Sequence, residues 1–113
     1  MNQKPTRYFS KQQENSVASA TGGKRVCNSG ATRFAKGDCL TDDFLLECKT
    51  SVTSKKSISI CREWFEKNDR EKRVMGKQYS AVVFNFGPKE PNYYAINEEL
   101  FLQLQEYLAG QEG

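Results

Sequence analysis

Apolar positions recur with two different periods along this chain. From about Phe9 to Thr21, Phe9, Val17 and Ala20 fall roughly on one side of a 3.6-residue repeat. Gly22-Gly23 closes that run, so a helix is expected there. Residues 1–7 carry no such pattern and are expected to form a loose terminus. Residues 24–36 combine turn formers with four cations and fit a loop or short strand. Cys39-Leu40 and Phe44-Leu45-Leu46 then flank a polar Thr41-Asp42-Asp43, the mark of a hairpin. Helical spacing returns at Ile58, Cys61, Trp64 and Phe65, placing a second helix from about Ser57, with the charged run EKNDREKR after it. Tyr79 to Phe86 is β-branched and aromatic and reads as an interior strand, and Tyr93 to Ile96 as a short one. Asn97 is placed to cap a last helix, with Glu98 and Glu99 at its positive end. Leu100, Phe101, Leu104, Tyr107 and Leu108 form the stripe expected to be buried. The order helix, hairpin, helix, strand, strand, helix predicts one mixed α/β domain over residues 1–113, a central mixed β-sheet flanked by helices.

The hairpin has a definite register if Asp42 and Asp43 centre its turn, because residue i then faces residue 85 − i. Asp38 stands opposite Glu47, with side chains ~5 Å apart at Cβ and pointing the same way. Lys49, two residues on, emerges on that face, while Cys39, Leu46 and Cys48 take the other. Two facing carboxylates repel, so stability alone does not favour them. A divalent cation resolves the conflict: Mg²⁺ is commonly held by one or two carboxylates together with substrate phosphates and water. Such an ion stabilises charge on a phosphate and acidifies bound water. Lys49 beside it is suited to orient or deprotonate that water, or to stabilise the developing anion. Asp42 and Asp43 are better read as turn formers, and Asp43 lies ~13 Å along the strand from Glu47. The plainer alternative is a loop-ending Asp38 beside an ordinary solvent-facing Glu47–Lys49 pair.

Composition narrows the chemistry further. The 113 residues include no histidine, which removes Ser-His and Cys-His nucleophile pairs, His-ligated zinc and an imidazole base. Cys27, Cys39, Cys48 and Cys61 lack C-x-x-C spacing, and no apolar leader precedes them, so free thiols in the cytoplasm are expected rather than a disulfide framework or a zinc site. No run approaches the ~18 apolar residues of a membrane span. Net charge is +3, but residues 1–36 carry +6 and residues 90–113 carry −5. A basic front with an acidic tail suits a surface turned toward a polyanion. Glu14 is the one acid in that front and lies three and four residues before Val17 and Ala18, beside the apolar face of its helix.

The run KGDCLTDDFLLECKT resembles the PD-(D/E)XK nuclease superfamily, in which an acid followed by E-x-K on the next strand forms the metal site. The similarity is closest to small phage and archaeal-type Holliday junction resolvases. Those carry a glutamate on the first helix, a Ser-Gly loop, a Gly-Asp and the E-x-K in that order, here Glu14, Ser29-Gly30, Gly37-Asp38 and Glu47-Cys48-Lys49. It covers roughly residues 9–87. Gly37 stands where the superfamily usually has proline, and nine residues from Asp38 to Glu47 is a short interval. The resemblance implies a restriction-endonuclease-like fold and hydrolysis of phosphodiester bonds in branched DNA. It implies Mg²⁺, with Mn²⁺ as a substitute, on Asp38 and Glu47, Lys49 acting on the attacking water, and Glu14 holding or orienting a metal-bound water. Ser29, Gly30, Arg33 and Lys36 become candidate phosphate contacts, and Lys55 and Lys56 candidate grips on the DNA backbone. Surface solubility accounts for those cations equally simply. Paired cuts in a four-way junction imply a homodimer. The rival readings are another nuclease of the superfamily acting in repair or restriction, a non-catalytic nucleic-acid-binding module, and a protein-interaction domain built on the acidic last helix.

Overall fold

The computed structural model describes residues 5–26 and 38–111. The order of elements is α1 (Thr6–Thr21), β1 (Lys24–Arg25), β2 (Asp38–Leu40), β3 (Phe44–Lys49), α2 (Arg62–Val74), β4 (Tyr79–Phe84), β5 (Tyr93–Ala95) and α3 (Glu98–Gln111). The strands form one mixed sheet in the order β1-β2-β3-β4-β5, antiparallel throughout except for the parallel β3–β4 pair. This is the expected single α/β domain, a central mixed sheet with three helices.

Local chemistry explains most boundaries. α1 starts at Thr6, earlier than its apolar spacing predicts, immediately after an extended Pro5 whose ring sets a helix-compatible φ. It stops where Gly22 adopts φ 73°, a left-handed conformation that glycine reaches without strain. Gly23 follows so close to β2 that a Cβ on it would lie 2.5 Å from the Leu40 carbonyl oxygen. The second helix begins at Arg62 rather than near Ser57, with an extended Cys61 at its cap position. Ser57-Ile58-Ser59-Ile60 alternates polar and β-branched residues, which disfavours helix. The charged run beyond Phe65 is instead helical, pinned by Lys67–Glu71, Asp69–Lys72 and Asp69–Arg73 pairs at i,i+3 and i,i+4 spacing. Asn97 does cap α3: its Oδ1 accepts the Leu100 N–H at 2.8 Å.

Side-chain alternation divides the sheet into two faces. Val17 of α1 packs with Cys39, Leu46, Cys48, Ala81 and Val83 on one of them. Full burial of Val17 and Val83 contributes about 1.5–3 kcal/mol each relative to leaving them in water. Leu45, Val82 and the acids Asp38 and Glu47 occupy the opposite face, under α2. Cys39 and Cys48 are buried free thiols and Cys61 an exposed one; Cys27 lies outside the described residues.

α3 departs from expectation. Of its proposed buried stripe only Leu100 is partly covered, while Phe101, Leu104, Tyr107 and Leu108 are 45–64% exposed. The helix stands beside the α1 face of the sheet, joined to it by the Tyr79 hydroxyl, which donates to Gln103 Oε1 at 3.0 Å. Between α3 and the sheet lies a groove of about 1080 Å³ walled by Leu46, Ala81, Tyr94, Ile96, Leu100 and Leu104. An apolar stripe specifies that a helix needs a partner surface; it does not specify that the surface belongs to the same chain. Among the described residues no helix is long and apolar enough to cross a membrane.

Candidate active site

The β2–β3 turn sets everything that follows. Thr41 Oγ1 accepts the backbone N–H groups of Phe44 and Asp43 at 2.9 and 3.3 Å, and the Thr41 N–H donates to the Phe44 carbonyl at 3.0 Å. Asp42 and Asp43 are exposed turn residues, as expected. The register is Asp38↔Glu47, Cys39↔Leu46 and Leu40↔Leu45. Two acids therefore face each other across the hairpin, and both are shut away from solvent: Asp38 is 0% exposed and Glu47 2%.

Their oxygens are mostly unpaired. Among the described residues, neither oxygen of Asp38 and not Oε2 of Glu47 has a hydrogen-bond partner. Only Glu47 Oε1 is engaged, by Lys67 Nζ at 3.3 Å and Lys49 Nζ at 3.8 Å. Lys49 Nζ also lies 4.8 Å from the centroid of the Trp64 ring on α2. A buried, unpaired carboxylate is strongly unfavourable when ionised. Burial, reinforced by the neighbouring Glu47 and Glu71 carboxylates and only partly offset by Lys67 and Lys49, accordingly pushes the Asp38 carboxyl up to about 7. Orphaned oxygens on two facing acids are what a hard cation requires, so the residues present fit a divalent ion. No group of three Asp, Glu or Cys side chains among the described residues is placed to enclose an ion. Two protein carboxylates, with further oxygens from water and substrate, is the arrangement typical of Mg²⁺.

α2 supplies two site residues that sequence reasoning missed. Lys67 holds Glu47 and reaches Glu71 Oε1 at 3.9 Å, and Glu71 Oε2 is a further buried oxygen without a partner among the described residues. Both sit in a charged run that reads as a solvated face. The signal was the helical period: Lys67 and Glu71 fall three and seven residues after Trp64, on the stripe that also carries the buried Asn68. Gln13 was missed as well. Its Nε2 donates to the Lys49 carbonyl at 3.2 Å and its Oε1 accepts the Thr50 hydroxyl at 2.5 Å, so α1 steadies the end of β3.

The remaining candidates are placed differently. Glu14 is buried, but its Oε1 accepts from Arg25 Nε at 3.1 Å. Arg25 stands opposite Cys39, so this pair belongs to the α1 face of the sheet and not to the face of Asp38 and Glu47. α1, which carries Glu14, packs on the face away from Asp38 and Glu47, so the fold does not bring Glu14 to the acids with which the resemblance grouped it. Lys55 and Lys56 are exposed on the segment after β3, where the Lys55 N–H donates to the Phe86 carbonyl at 2.7 Å. Ser29, Gly30, Arg33 and Lys36 lie outside the described residues.

Comparison of the chain with family models, with curated proteins and with solved structures gives no match.

Proposed function

We propose that this chain is a Mg²⁺-dependent DNA endonuclease that hydrolyses phosphodiester bonds in branched DNA, a Holliday junction resolvase of restriction-endonuclease-like fold. The observation that carries the reading is the buried Asp38–Glu47 pair, with three oxygens that have no partner among the described residues and Lys49 beside it. Asp38 and Glu47 would hold the ion, with Mn²⁺ as a substitute. A bound Mg²⁺ supplies Lewis acidity toward the scissile phosphate and lowers the pKa of water. Lys49 is fixed by the strand, by Gln13 on its carbonyl and by Trp64 against its ammonium, so its Nζ is held beside the acids. There it orients the attacking water, or offers positive charge where the phosphate gains negative charge. Glu14 acts through Arg25 and α1 rather than on that water. The net +6 of residues 1–36, with Ser29, Gly30, Arg33 and Lys36 among them, and the exposed Lys55 and Lys56 support phosphate-dominated DNA binding.

Paired cuts call for two copies, and α3 is the surface we assign to their contact. Its apolar residues are exposed, it carries Glu98, Glu99 and Glu106 with no base, and the neighbouring groove is rimmed by Lys24, Arg25 and Lys77. A second copy of the chain offers both the apolar and the charge complement in a two-fold arrangement.

The test is cleavage of four-way junction, nicked and linear duplex DNA with Mg²⁺ and with EDTA. Symmetric paired incisions in the junction alone support the resolvase. Cutting of linear or nicked DNA instead indicates another nuclease acting in repair or restriction. DNA binding without cleavage in Mg²⁺ or Mn²⁺ overturns the enzyme reading.

A further inference from the structure

Lys67 is the charged group the mechanism above leaves unused. It bridges Glu47 Oε1 at 3.3 Å and Glu71 Oε1 at 3.9 Å, and its side chain is 37% exposed, so the ammonium has a route to solvent. Glu47 is 2% exposed and cannot follow it. An ion carried by Asp38 and Glu47 would bring two positive charges against an ammonium already in contact with the same carboxylate, and at such separations in a partly buried site like charges repel strongly.

Resting on the metal-site reading above, we propose that Lys67 is a displaceable counter-ion: it neutralises Glu47 while the acid pair holds no metal and yields that carboxylate when a divalent cation arrives. Glu71, one helical turn away on α2 and already 3.9 Å from the same ammonium, retains it after release. Lys67 therefore competes with the metal and sets its affinity. It is a positioning residue. Lys49 cannot take this part, because its contact with Glu47 is longer, 3.8 Å, and its ammonium is also committed to Trp64.

The experiment measures metal binding directly, without DNA. Terbium binding is followed through luminescence sensitised by Trp64, the single tryptophan of the chain, and Mg²⁺ is titrated as the competitor. Lys67→Met is expected to tighten Mg²⁺ binding about tenfold, equivalent to about 1.4 kcal/mol. Lys67→Arg, which keeps the charge, is expected to leave it weak. Lys72→Met removes the same charge from the same helix, where Lys72 pairs with Asp69, and is expected to change affinity less than twofold. A second readout is thermal: without metal, Lys67→Met melts below wild type because Glu47 loses the nearer of its two ammonium partners, and Mg²⁺ restores the difference. Mg²⁺ affinity in Lys67→Met equal to or weaker than wild type overturns the proposal while leaving the metal site intact. Absence of Mg²⁺ and terbium binding in every protein overturns the proposal and the metal-site reading together.

Discussion

Asp38 and Glu47 stand directly opposite each other on adjacent antiparallel strands, both buried, with three of their four oxygens unpartnered among the described residues. Such a pair is tolerated in a folded chain only if one acid holds a proton or a cation lies between them. The Asp38 carboxyl, raised to about 7, is the protonated solution.

This fixes the sign of a pH effect. The folded-state pKa of Asp38 exceeds its unfolded value of 3.8, so the native state binds the extra proton. The stability this contributes is fully present below pH 4 and is lost as pH rises toward 7. Metal-free protein is expected to be less stable at pH 8 than at pH 5, by on the order of a few kcal/mol from this group. Asp38→Asn should remove that dependence and stabilise the metal-free protein at pH 8. Urea unfolding at the two pH values checks both statements; an unchanged slope in Asp38→Asn would assign the pH dependence elsewhere.

Cleavage should depend on the acids and the lysine in separable ways. Asp38→Asn and Glu47→Gln are each expected to abolish both metal binding and junction cutting. Lys49→Ala is expected to reduce cutting by at least about a hundredfold, the lower range for a positioned acid-base group, while metal still binds. Single-turnover cleavage beside a terbium titration distinguishes the two classes. Retained activity in Glu47→Gln would remove the metal site from these residues.

For Glu14 the structure predicts a stability effect. Its buried carboxylate is held by Arg25, so Glu14→Gln should lower stability by ~1–3 kcal/mol through loss of a charge-assisted hydrogen bond. Metal affinity should remain within twofold of wild type. A large loss of metal affinity with stability unchanged would place Glu14 with the ligands instead.

The acidic helix carries a prediction about assembly. Wild type is expected to sediment as a dimer at micromolar concentration and Leu108→Asp, which changes a side chain 55% exposed in the single chain, as a monomer with its fold intact. A wild-type monomer would dissociate α3 from any pairing role.

How much of this was legible in the sequence varies with the physics involved. The hairpin register could be read because a two-aspartate turn and side-chain alternation are local, and together they leave one way for Asp38 to meet Glu47. The start of α2 could not, because Ile58 fits a helical spacing with Cys61 and Trp64 as well as an extended alternation with Ile60, and β-branching decided between them. Lys67 and Glu71 were hidden by composition: a charged run looks solvated until the stripe from Trp64 is followed through it. α3 shows the converse limit. Its apolar spacing was read correctly, but periodicity names a face and is silent about what covers it.

The parallel pairing of β3 with β4 bears on the order in which the site comes together. Asp38 and Glu47 belong to a hairpin that closes over a few residues, a microsecond event. Lys67 and Glu71 are carried on the crossover between β3 and β4, and α2 is held down by contacts such as Asn68 to the Ala81 carbonyl at 3.1 Å. Pairing strands separated by that crossover is the slower step, since a long loop must close first. The acids thus meet while still hydrated and lose their water only when α2 docks, so raising the pH through 7 should slow the last stage of folding more than the first.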